Sequence, residues 1–162
     1  HDEALTGLYI NYGSSAIGKI KGVCRKVGTD GKWFGQASHT DYSPQNISGS
    51  YSQNKIISCP KDWAVSGFKG KVYEYSTRHQ IKAIKLKCRK LTSGGKLTGS
   101  SQDLSWVGPG GGIESSSISC SSDKPARKVI GHSKTYLQGF SLDCSQVPVQ
   151  QVCTEVEVKR CV

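Results

Sequence analysis

Methionine is absent from the 162 residues, and so are the leucine- and alanine-rich stretches from which surface helices are built. Those absences exclude a helical bundle, a coiled coil and a long amphipathic membrane helix. No apolar run approaches the roughly 18 residues of a membrane-spanning helix, and hydrophobic residues make up only 35% of the chain. Acids are scarce: 12 Asp and Glu stand against 22 Lys and Arg, leaving a formal net charge of +10. Proline is sparse too, whereas glycine fills 19 positions and serine more, so turns are plentiful and helix interiors are not. What remains is the composition of an all-β protein. Its 17.5 kDa suffices for one domain with a real core, residues 1–162, and falls short of two.

Signatures of catalysis are missing as well. There is no Gly-x-Ser-x-Gly elbow, no His-Glu-x-x-His and no cofactor-binding motif, so no cofactor is expected. The seven cysteines form no Cys-x-x-Cys pair and show no zinc-finger spacing, which points to structural disulfides and an oxidising, extracellular compartment. The chain opens at His1 without a charged-then-apolar leader, as a mature secreted protein would. Asn46-Ile47-Ser48 is a weak glycosylation acceptor triplet.

An internal repeat organises what is there. Val23-Cys24-Arg25-Lys26-Val27 aligns with Lys87-Cys88-Arg89-Lys90-Leu91, and each is followed by a Gly-containing turn and a lysine. Farther on, Ile57-Ser58-Cys59 aligns with Ile118-Ser119-Cys120. Three cysteines close alternating strands: Ile20, Gly22, Cys24; Ile84, Leu86, Cys88; Phe140, Leu142, Cys144. Apolar and cysteine side chains share one face there, the period-2 signature of a half-buried strand. The reading is three pseudo-repeats, at about 1–58, 59–119 and 120–162. Because each later repeat opens and closes on a cysteine, the expected bridges are Cys59–Cys88 and Cys120–Cys144. Cys24 would then pair with Cys153 or Cys161, leaving one cysteine free or available for a covalent dimer.

The unit from Cys59-Pro60 through Val65, Gly67 and Phe68 to Ile81-Lys82-Ala83-Ile84-Lys85-Leu86-Lys87-Cys88 resembles a repeat of the vitelline membrane outer layer protein I family. That resemblance implies a disulfide-bonded, extracellular β-prism of three sheets. Dermatopontin-like matrix proteins carry a similar Cys-Pro-opening, Cys-closing unit. Where the first family has an acidic Asp-Asp-Thr stretch, this chain has Tyr75-Ser76-Thr77-Arg78-His79-Gln80, so no acidic sugar-contacting residue carries over.

Charge supplies the clearest functional clue. Lys61, Lys69, Lys71, Arg78, Lys82, Lys85, Lys87, Arg89, Lys90 and Lys96 crowd residues 61–96 against only Asp62 and Glu74. Lys69, Lys71, Arg78, Lys82, Lys85, Lys87, Arg89 and Lys90 are read as a basic stripe for an anionic polysaccharide or a host or matrix surface. Lys85, Lys87 and Arg89 are expected to project from one strand as a ladder. Trp33, Trp106, Tyr73 and Tyr75 are candidate sugar-stacking faces. An extracellular setting disfavours nucleic acid as the partner. His1, with His39, His79 or His132, offers a copper site, and no other metal site is read. Asp103, Glu114 and Asp123 are the nearest approach to a carboxylate cluster such as a glycosidase needs. The favoured function is a secreted, non-enzymatic binding or structural protein; a secreted effector or toxin and a polysaccharide-active enzyme are the alternatives.

Overall fold

The computed structural model describes residues 3–42, 51–75, 78–132, 137 and 139–149, with backbone alone for Tyr75, Arg78, His132 and Phe140. Eleven strands and one short 3-10 turn, Ser93–Gly95, are found among them. Strands β1 (Glu3–Tyr12), β2 (Ile17–Val27), β3 (Trp33–His39) and β4 (Gln53–Ser58) form one sheet in the order β3-β2-β1-β4. Strands β5 (Trp63–Tyr75), β6 (Arg78–Thr92) and β7 (Lys96–Asp103) build the second sheet. Its outer edge on β5 is taken up by β8 (Ile113–Glu114) and β9 (Ile118–Ser119). A third, antiparallel pair joins β10 (Ala126–His132) to β11 (Gly139–Cys144). The first strands of the three sheets, β1, β5 and β10, touch one another pairwise, so the sheets stand as three faces around a shared core.

The pseudo-repeat explains why they close. Leu5 lies opposite Cys24, Val65 opposite Cys88 and Ala126 opposite Cys144, and each pair is followed by a bulge at Thr6, Ser66 or Arg127. Counting back seven residues from each closing cysteine reaches Ile17, Ile81 and Leu137, all buried. There the backbone links the repeats, since Leu137 N–H donates to Ile17 O and Ile81 N–H to Leu137 O, both at 3.0 Å. Counting forward three reaches Val27, Leu91 and Val147, which form a second apolar layer at the opposite end with Ala4, Ala64 and Leu97. Burying each such side chain contributes roughly 1.5–3 kcal/mol.

Disulfides stitch each sheet to the next. Cys59, directly after β4, bonds Cys88 on β6; Cys120, directly after β9, bonds Cys144 on β11. Both chain reversals use the same hydrogen bond: Cys59 N–H donates to Thr6 O at 2.8 Å, and Cys120 N–H to Ser66 O at 2.7 Å. Cys24 is buried and has no disulfide partner among the described residues; Cys153 and Cys161 lie outside them, as do His1 and Asn46. No helix among the described residues is long and apolar enough to cross a membrane.

Candidate functional site

On the outer face of the second sheet, strand alternation puts Lys69, Lys71 and Tyr73 of β5 beside Lys85 and Lys87 of β6. Lys69 is paired in register with Lys85, and Lys71 with Ala83. Two like charges directly across a ladder repel. Glu114 relieves them: β8 lies against β5 with Glu114 opposite Lys71, and its carboxylate reaches the Lys69 ammonium at 3.2 Å. The Lys69 hydrogen bond and charge, with smaller help from Lys85 and Lys71, hold the Glu114 carboxyl below its ordinary value.

The connection from β7 to β8 then runs over this face. Leu104 N–H donates to Leu86 O at 2.9 Å, and Val107 exchanges two hydrogen bonds with Ile84 at 2.8 and 2.9 Å. Between them, Trp106 is set down on the sheet with the Lys71 ammonium 4.8 Å and the Lys85 ammonium 4.7 Å from its ring. The loop then turns back through Gly108-Pro109-Gly110-Gly111-Gly112. Gly108 (φ 134°) lies so close to the β6 backbone that a Cβ there would sit 2.3 Å from Lys82 O, and only glycine fits. Farther along the same two strands, the Lys82 ammonium lies 5.7 Å from the ring of Tyr73, itself 46% exposed, and also donates to Ser15 O. Tyr73 and Glu114, with Val72, Glu74, Gly112, Ile113 and Ser115, line an open cleft of ≈ 740 Å³. Ile113 is 81% exposed at its rim.

The stripe read from sequence therefore divides. Lys71, Lys82 and Lys85 gather around the aromatic rings. Lys87 is held by Asp103 at 3.2 Å, and Arg89 donates to Gly99 O at 2.9 Å and Ser122 O at 3.1 Å. These two tie β6 to its neighbours. Lys90 is exposed opposite Trp63, at the far end of the strand. Arg78 and Tyr75 pair in backbone register at the hairpin tip.

Trp33 is turned to architecture: its indole N–H donates to Trp63 O at 3.0 Å, its backbone N–H to Asp62 at 2.8 Å, and the Arg25 guanidinium covers its ring. The three acids named as a cluster are not one, since Asp103, Glu114 and Asp123 each face a different lysine, Lys87, Lys69 and Lys96. His79 meets Glu74 at 3.3 Å, whereas His39 lines a groove of the first sheet. Among the described residues no three His, Cys, Asp or Glu side chains converge as a metal site.

Sequence reasoning missed a second aromatic–lysine cluster, on the outer face of the first sheet. The Tyr42 ring has the Lys19 ammonium at 4.2 Å and that of Lys21 at 4.8 Å, and meets the ring of Tyr9 edge-on at 5.9 Å. Burial, and after it Tyr9, hold the Tyr42 hydroxyl above its ordinary pKa, so it stays neutral. Nearby, a groove of ≈ 630 Å³ separates the first sheet from the third, lined by Glu3, Cys24, His39, Arg127 and Val129 among others. Burial, followed by Glu3, pushes the Cys24 thiol up to about 11.

No family model matches the chain, and no curated protein matches it. Solved structures do. The lectin MPA complexed with T-antigen disaccharide is similar at a TM-score of 0.57 and 16% identity. Frutalin from Artocarpus incisa, in complex with galactose, gives 0.57 at 12%. Jacalin in complex with melibiose gives 0.55 at 16%. In each case the match covers 88% of this chain and 92% of the other. Likeness at such identities is a likeness of fold. The prism expected from the vitelline membrane resemblance is present, and its structural counterparts are jacalin-like lectins rather than that family: the chain has a three-sheet β-prism fold.

Proposed function

We propose that this is a secreted, non-enzymatic glycan-binding protein that engages an anionic sugar on the outer face of β5 and β6. The observation that carries the reading is Trp106, whose ring has the ammonium groups of both Lys71 and Lys85 within 5 Å, on a sheet that also pairs Lys82 with the Tyr73 ring. An indole or phenol ring offers a sugar an apolar, polarised face. An ammonium group resting on a ring still has protons to donate to a sulfate or carboxylate. The fold supports the same reading, because its structural counterparts include lectins in complex with galactose and with melibiose. The two disulfides fit an extracellular setting.

Retention on a sulfated-polysaccharide resin tests it. The chain should be retained at low salt and released by modest salt, since the attraction is carried by exposed lysines. Substituting Lys71→Gln with Lys85→Gln should move elution to clearly lower salt while leaving the thermal midpoint within a few degrees. Equal elution from the charged resin and from its neutral counterpart would overturn the proposal.

A further inference from the structure

Two of the three prism faces carry the same arrangement, and the internal repeat generates it. The offset separating Cys24 from Cys88 also separates Lys21 from Lys85, Thr40 from Leu104 and Tyr42 from Trp106. It is a structural equivalence as well as a numerical one. Thr40 N–H donates to Gly22 O at 3.0 Å and Leu104 N–H to Leu86 O at 2.9 Å, so the crossing segment meets the second strand of each sheet at the same place. Two residues later the aromatic ring comes down on the sheet. In the first sheet Thr40 adds a second tie, its hydroxyl accepting from Gly22 N–H at 2.7 Å.

Only part of the chemistry is inherited. Lys21 and Lys85 are equivalent, but the second lysine is not: it is Lys19 on β2 in one sheet and Lys71 on β5 in the other. At the position equivalent to Lys19 the second sheet has Ala83, and at that equivalent to Lys71 the first has Asn11. Backbone hydrogen bonds already tie both crossing segments to their sheets, Thr40 to Gly22 in the first and Leu104 to Leu86 in the second. The two sheets nevertheless both arrive at one ring with two ammonium groups within 5 Å, by different strands. Tyr9 enlarges the first-sheet platform, with the Lys21 ammonium 4.9 Å from its ring. Ile56, its neighbour across the β1–β4 ladder, adds an apolar surface that is 53% exposed.

We infer that the outer face of the first sheet, around Tyr42, Tyr9, Lys19 and Lys21, is a second site for an anionic sugar, so that one chain bridges two glycan segments. This inference rests on the reading of the Trp106 face as a glycan site. Because the faces belong to different sides of the prism, two sites on them cannot be filled by one short oligosaccharide. A long polyanionic chain, or two chains, would be held at both, which raises avidity without any new contact.

The experiment is calorimetric titration with a size-defined sulfated heparin hexasaccharide, together with turbidity on mixing with long-chain heparin. The expected results are two hexasaccharides per chain and a turbid mixture. Lys19→Gln with Lys21→Gln should leave one site and a clear mixture, and Lys71→Gln with Lys85→Gln should do the same independently. In the unaltered protein, bound hexasaccharide should also protect Lys19 and Lys21 from acetylation, a readout that needs no variant to fold. A stoichiometry of one, with Lys19 and Lys21 unprotected and their double variant binding normally, overturns the second site and leaves the Trp106 face standing. Absence of binding by the unaltered protein overturns both.

Discussion

Glu114 is an acid set among lysines, and its carboxylate opposes any anionic ligand on that face. Its pairing with Lys69 lowers its pKa, so the bond contributes fully above the ordinary carboxylate value of 4.5 and is lost as pH falls through the lower folded value. Because Glu114 is exposed, that loss matters little for stability. Its consequence is for binding. A sulfate group stays ionised in this range, so protonating Glu114 frees Lys69 and makes the face more cationic. Glu114→Gln should therefore elute from a sulfated resin at higher salt than the unaltered protein at neutral pH, and the gap should narrow as the eluent is acidified. A variant that elutes earlier would show that Glu114 itself contacts the ligand. Trp106→Ala is the complementary change: it removes the ring but no charge, and should weaken retention while the salt dependence keeps its slope. A flatter slope would mean that Trp106 serves only to position Lys71 and Lys85.

At the scale of elements, two glycines decide whether the outer strands can close on their sheets. A Cβ on Gly7 would lie 2.3 Å from Ile57 O, and one on Gly67 2.4 Å from Ile118 O, in both cases against the strand that leads into a bridging cysteine. Gly70, two turns of the pleat along β5 from Ser66, has only ordinary contacts at 3.7 Å and beyond. Gly7→Ala and Gly67→Ala should each cost about 1–3 kcal/mol, the usual range for overpacking, and Gly70→Ala clearly less; chemical denaturation measures all three. If Gly67→Ala proves neutral, the β5–β9 contact is looser than the backbone geometry requires. These positions also show how far the fold was legible. Cys24, Cys88 and Cys144 end alternating strands, and Ile57-Ser58-Cys59 repeats as Ile118-Ser119-Cys120, so an all-β chain of three pseudo-repeats with two bridges could be read from the residues, whereas the three-sheet prism followed only from the family resemblance. Gly7 and Gly67 were opaque because a close approach of two backbones leaves no period in sequence. The Tyr42 cluster escaped for a related reason. Along the chain positive charge concentrates in residues 61–96, whereas Tyr9, Lys19, Lys21 and Tyr42 are dispersed and meet only because antiparallel pairing folds them onto one face. The pairings of Lys87 and Arg89 are illegible for the same reason, since their partners Asp103, Gly99 and Ser122 lie elsewhere in the chain.

Across the whole molecule, the repeat leaves one position unlike its equivalents. Cys88 and Cys144 each receive a cysteine from the strand that ends the preceding sheet, whereas Cys24 opens onto the groove between the first and third sheets. The sheet preceding the first, going round the prism, is the third, and the segment that follows it contains Cys153 and Cys161. We propose that one of these bonds Cys24, tying the end of the chain to its beginning. The third repeat would do so by its own route, because Lys128 stands where Gly7 and Gly67 admit their partner strands. As a thiol, Cys24 is protonated at neutral pH and shielded, so slow alkylation of the native protein would not distinguish a thiol from a disulfide. Alkylation in denaturant without reductant does, followed by peptide mapping. The expected result is one alkylated cysteine per chain, Cys153 or Cys161, and a Cys24 peptide linked to the other. Reducing that bond while Cys59–Cys88 and Cys120–Cys144 remain should lower the thermal midpoint, since the bridge closes nearly the whole chain and removes the most freedom from the unfolded state. Alkylated Cys24 with a Cys153–Cys161 bridge, or a dimer linked through Cys24, would show instead that the prism is closed by packing alone and that the groove beside Cys24 is open to something else.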